Sequence, residues 1–105
     1  NWLGKAGRSC REALNQGKSY RIGLAEAMRL KGTYEWLRGK PKVAQEWWQQ
    51  SLAVAEEIGM RHELGMTYME MGHRLKERTH LEKAEAIFSE IGAEWDLGQT
   101  RKQLS

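Results

Sequence analysis

The chain has 105 residues, a formal net charge of +3 and a mean hydropathy of −0.75, enough for one domain that buries roughly two-thirds of its unfolded surface. No apolar run approaches the roughly 18 residues needed to cross a bilayer, and no basic-then-apolar leader with a small-residue cleavage site is present. The lone Cys10 excludes an internal disulfide framework, so a cytoplasmic location is expected. Pro41 is the single proline, and Ala, Glu, Lys, Arg, Leu, Met and Gln dominate. These are good helix formers, and with little Val or Ile they predict an all-α fold.

Read in chain order, six helices are expected, over about 2–16, 19–38, 41–58, 61–77, 80–91 and 93–104. Gly17 ends the first, Gly39 the second, Gly59 the third and Gly92 the fifth, since glycine adopts the left-handed conformation that closes helices. Pro41 falls in the first turn of the third helix, where its missing N–H costs nothing. Thr79 is placed to cap the fifth helix, with Glu82 completing a capping box. The chain opens Asn1-Trp2 with no initiator methionine, which predicts a segment of a larger protein.

Internal repetition organises these elements. Ile58-Gly59-Met60-Arg61-His62-Glu63-Leu64-Gly65-Met66-Thr67 recurs, at a constant offset of 33, as Ile91-Gly92-Ala93-Glu94-Trp95-Asp96-Leu97-Gly98-Gln99-Thr100. A second offset, 40, relates Gly32 to Gly72, Ala44 to Ala84 and Trp48 to Phe88. The two reconcile if the middle helix is seven residues, about two turns, longer than its counterpart. A fainter copy places Ala6, Cys10 and Ala13 at the spacing of Ala44, Trp48 and Ser51. The chain divides into a remnant at 1–17, repeats at about 19–58 and 61–91, and a final helix at 93–104, all within one domain of residues 1–105.

The pattern Tyr68-x-x-Met71-Gly72-x-x-Leu75 followed by Ala84-x3-Phe88 resembles the tetratricopeptide repeat (TPR) signature. Gly32-Thr33-Tyr34-Glu35-Trp36, Ala44-Gln45-Glu46-Trp47-Trp48 and Ile91-Gly92-Ala93-x-Trp95-Asp96-Leu97 are similar to the C-terminal arrays of large bacterial signalling proteins that join cyclase or kinase domains to an ATPase module. Lys31 and Glu35 depart from the large apolar residues of the signature, and no proline closes either repeat. The resemblance implies a right-handed superhelical array of antiparallel hairpins. In it Gly32 and Ala44, and likewise Gly72 and Ala84, let paired helices approach, while Trp48 and Phe88 fill the core. It also implies a non-catalytic scaffold whose concave groove is lined by the first helix of each hairpin. Carried over position by position, that groove shows Glu26, Arg29, Thr33, Trp36, Met66, Met69, His73, Lys76, Gln99 and Lys102. Met adapts to varied apolar partners, and Trp with Arg is common hot-spot chemistry. The family's clamp for a terminal carboxylate is not expected, because Thr33, Glu70, Gln99 and Gln103 stand where its other groups would be, and Glu70 would repel an anion.

No chemistry for catalysis stands out. Gly17-Lys18-Ser19 ends like a phosphate-binding loop, but Glu12 occupies the first glycine position and no strand precedes it. His62, His73 and His80 lack zinc-site spacing, and Cys10 has no adjacent base. No metal or cofactor is expected. The expected partner is a protein or peptide segment, including another domain of the same parent. A homodimer through Trp2, Trp47 or Trp95 is the alternative, because array ends leave a face uncovered. Residues 1–50 carry ten Lys/Arg against four Asp/Glu, and residues 51–105 carry seven against ten. That modest basic half is too sparse for a typical nucleic-acid footprint.

Overall fold

The computed structural model describes residues 18–105, with side chains from Gly23 onward. These residues form five helices: α1 (Lys18–Leu37), α2 (Pro41–Ile58), α3 (Arg61–Leu75), α4 (Arg78–Ile91) and α5 (Glu94–Leu104). The fold over this span is all-α. The helix expected at 2–16, with Ala6, Cys10, Ala13 and the turn at Gly17, lies outside the described residues. Packing is heaviest between α1 and α2 and between α3 and α4, each pair joined by a short turn. The second pair stacks on the first through α2 and α3, and α5 packs on α4.

Every connection closes in the same way, because a helix end leaves carbonyls that need donors. Gly39, Gly59 and Gly92 have φ of 81°, 73° and 72°, as glycine does freely. The next residue then donates back to a carbonyl five positions earlier: Lys40 to Glu35 (3.0 Å), Met60 to Ala55 (2.8 Å) and Ala93 to Phe88 (2.9 Å). The α3–α4 turn does this without glycine. Lys76 takes the left-handed conformation (φ 58°, ψ 38°), and Glu77 donates to the Gly72 carbonyl at 3.1 Å. The turn is therefore only Lys76-Glu77, α3 stops at Leu75 and α4 restarts at Arg78. This corrects the expected capping box. Glu77 is the N-cap and makes no side-chain cap bond, and Thr79 already lies inside the helix. Pro41 opens α2 as expected.

Trp48 and Phe88 are fully buried, and the reason is glycine. A Cβ on Gly32 would collide with Trp48 Cδ1 and Nε1, and would lie 3.0 Å from the Ala44 carbonyl. A Cβ on Gly65 would lie 2.7 Å from Phe88 Cε1. Each ring thus lies against bare backbone of the preceding helix. Trp48 additionally donates Nε1–H to the Arg29 carbonyl at 3.1 Å, a bond that Phe88 cannot make.

These contacts revise the alignment. Gly72 does not face Ala84 as Gly32 faces Ala44; a Cβ there would strike Leu81 Cγ at 2.6 Å. The glycine equivalent to Gly32 is Gly65, one period on. The glycine and its aromatic partner are closer in sequence in the first hairpin (Gly32 and Trp48) than in the second (Gly65 and Phe88). The difference is compensated within the helices, because α2 runs that much further past Trp48 than α4 runs past Phe88. The period of 33 therefore survives. In the second hairpin Gly72 meets the start of α4.

A buried pair of hydroxyls at the junction between hairpins is fully satisfied. Ser51, fully buried, donates to the Ala25 carbonyl at 2.7 Å and lies 3.0 Å from the hydroxyl of buried Thr67. With the Ser51 proton used, Thr67 must be the donor. The two departures from the repeat signature are also accommodated. Buried Glu35 pairs with Arg38 at 3.2 Å, and buried Lys31 holds its ammonium 4.6 Å from the ring centre of half-buried Trp47. Buried charge is tolerated only with such partners.

Candidate functional site

Helices α1, α3 and α5 are tied to one another by side chains that repeat. Arg29 Nε lies 3.6 Å from Glu63 Oε2 between α1 and α3. His62 Nε2 lies 3.0 Å from Asp96 Oδ2 between α3 and α5. Arg29 and His62 are one period apart, as are Glu63 and Asp96; the two pairs are one interaction used twice. Arg29 and Glu63 are the more enclosed, with side chains 14% and 12% exposed. Further along, the Thr33 hydroxyl donates to Glu70 Oε2, whose other oxygen accepts from Arg74 Nε at 3.2 Å. His73 Nδ1 meets Gln103 Oε1 at 3.1 Å, and Thr100 Oγ1 lies 3.2 Å from Met69 Sδ.

Between these ties lies a cleft of about 170 Å³ lined by Arg29, Met66, Met69, Glu70, His73 and Gln103. It draws on all three helices. His73 and Gln103 also border a second cleft of about 370 Å³, where Gly72, Lys76, Arg78, Leu81 and Leu104 complete the wall. Arg78 closes its far side by donating to the Leu104 carbonyl at 2.8 Å. The smaller cleft combines two thioethers with charged and amide groups.

Of the residues expected in the groove, Arg29, Met66, Met69 and His73 converge on the smaller cleft, and His73 and Lys76 on the larger. Thr33 adjoins the smaller through Glu70. Glu26, Gln99 and Lys102 line neither cleft; Glu26 and Lys102 are exposed and Gln99 is half-buried. Trp36 lines neither: it is half-buried against Trp48, with ring centres 5.9 Å apart. Glu70 and Gln103 are lining residues that sequence reasoning treated only as obstacles to a carboxylate clamp. The signal was available, since each follows a groove candidate by four residues, Glu70 after Met66 and Gln103 after Gln99, on the same helix face.

Among the described residues no group of three or more His, Cys, Asp or Glu side chains is arranged to hold a metal ion, and no helix is long and apolar enough to cross a membrane. No protein-family model, curated protein or solved structure matches the chain.

Proposed function

We propose that this chain is a TPR-like protein-interaction module that takes a partner segment across α1, α3 and α5, acting as a scaffold within a larger signalling protein. The observation that carries this reading is the cleft to which all three helices contribute. Its chemistry suits a peptide better than a reaction. Met66 and Met69 offer adaptable apolar contact, while His73 and Gln103 supply donors and acceptors. Arg29 and Glu70 are already engaged by Glu63, Thr33 and Arg74, so a strongly charged ligand gains little. The fitting partner is an amphipathic segment that inserts one apolar side chain between the methionines. Supporting the array reading are the sequence period, the paired glycine–aromatic contacts and the twice-used tie between first helices.

The test is selection of binders from a displayed random-peptide library. Met66→Glu places a carboxylate in the cleft and is expected to abolish binding of the selected peptides, and His73→Ala, at an exposed wall residue, is expected to weaken it with helicity unchanged. Trp95→Ser, remote from the cleft, is expected to leave binding intact. Peptides that bind Met66→Glu as well as the unaltered protein would remove this groove from consideration.

A further inference from the structure

Arg29 enters the smaller cleft with hydrogen-bonding capacity that the fold leaves unused. Its side chain is only 14% exposed, and Glu63, its charged neighbour, stands 3.6 Å from Nε. That is beyond hydrogen-bond length, and the buried Nε has no other partner. Neither Nη group bonds to anything among the described residues, so four N–H donors of an enclosed guanidinium stay open at the cleft wall. The backbone beneath is fixed, because the Arg29 carbonyl accepts Trp48 Nε1–H at 3.1 Å. The rest of the wall differs. Glu70 already accepts one hydrogen bond on each oxygen, from Thr33 and from Arg74. Gln103 accepts from His73 Nδ1, which leaves the Gln103 amide nitrogen as a further donor. The unmet demand of the cleft is for acceptors.

Charge narrows the kind of acceptor. Glu63 offsets part of the Arg29 charge, and at 3.6 Å it does not offset the whole. A carboxylate would need a full cation and would set a like charge beside Glu70. The C-terminal end of a helix brings about half an elementary charge, spread over carbonyls that lack partners and accompanied by no unpaired N–H. We infer that the partner segment is a helix that enters the cleft by its C-terminus. Its last carbonyls meet Arg29 Nη1 and Nη2, and an apolar side chain of its last turn lies between Met66 and Met69. This rests on the smaller cleft being the partner site proposed above, and adds the conformation and direction of the partner. An extended segment would alternate N–H with C=O and bring donors to a wall already rich in them. Arginine suits the task where lysine does not, because its planar fork holds two donors side by side.

The experiment measures, by fluorescence anisotropy, the binding of three capped alanine-based peptides of about 20 residues, long enough to be helical alone. One carries paired leucines in its last turn and one carries them in its first turn. The third is the last-turn peptide broken by a central proline. The last-turn helix is expected to bind about tenfold more tightly than either of the others, since hydrogen bonds to a charged group are the stronger kind. Arg29→Lys keeps a cation beside Glu63 and loses the fork, so it is expected to erase most of that preference with helicity unchanged. Equal binding of the last-turn and first-turn helices, undiminished binding of the proline peptide, or no binding by the last-turn helix overturns the proposal. So does a preference that survives Arg29→Lys. His73→Ala, at the exposed wall of the cleft, keeps the two readings apart. Peptides that lose affinity in His73→Ala but show no end preference overturn the helix direction alone. An end preference unchanged by His73→Ala and by Met66→Glu removes the cleft itself as the partner site.

Discussion

Phe88 lies against Gly65 so closely that a single added methyl would come within 2.7 Å of its ring, whereas Gly98, one period later, has open space around it. The same substitution at equivalent positions should therefore act in opposite directions. Gly65→Ala forces Phe88 from its seat, and overpacking of this kind costs about 1–3 kcal/mol. Gly98→Ala meets no neighbour and gains helix propensity, about 0.5–1 kcal/mol. Urea unfolding of the two variants should move the midpoint down for Gly65→Ala and up for Gly98→Ala. Equal shifts would mean that Phe88 is not seated on Gly65.

The Ser51–Thr67 pair should respond asymmetrically. Thr67→Val removes a donor but leaves Ser51 bonded to the Ala25 carbonyl, so the loss should stay near about 1 kcal/mol or below. Ser51→Ala strips Thr67 of its acceptor in a buried site, at a cost of about 1–3 kcal/mol. The double variant should lose less than the sum, because no hydroxyl is then stranded. Thermal or denaturant unfolding of the cycle measures this directly, and additive losses would contradict the proton assignment.

Lys76 bears a side chain in a conformation that the other three turns assign to glycine. Lys76→Gly relieves that strain and should raise stability by about 0.5–1 kcal/mol, read as an increase in melting temperature. A decrease would show that the Lys76 side chain makes a contact worth more than the strain.

Arg29 and Trp36 are poor probes of the groove despite their place in it by sequence. Trp36→Ala uncovers Trp48 and should destabilise the fold by about 2–4 kcal/mol. Arg29→Ala strands Glu63 in a largely enclosed site and should cost about 1–2 kcal/mol. Any loss of partner binding in either variant should track loss of helicity at the assay temperature. His73→Ala separates the two effects, since it acts at the cleft and His73 is exposed, whereas Met66 also packs against the Phe88 cluster.

Much of the fold is legible in the residues alone because its determinants are local. Proline and glycine at 39, 41, 59 and 92 mark helix limits through backbone conformation. Composition settles the all-α class, and the burial of Trp48 and Phe88 follows from their place on amphipathic helices. Within the cleft, Arg29, Met66, Met69 and His73 are recoverable from helical spacing once the first helices are known.

Tertiary packing alone settles which faces meet. Two offsets, 33 and 40, are both true of the sequence, and nothing local says whether Gly65 or Gly72 receives Phe88. That depends on where the α3–α4 turn falls. The turn falls at Lys76 because the closing bond from Glu77 to the Gly72 carbonyl forms there, although no glycine marks the place. The same applies to Trp36. Its spacing puts it among the groove residues, but Trp48 seated on Gly32 offers it an apolar surface that solvent cannot match. Helix limits are written in single residues, whereas the pairing of faces is an energy shared between residues far apart in the chain.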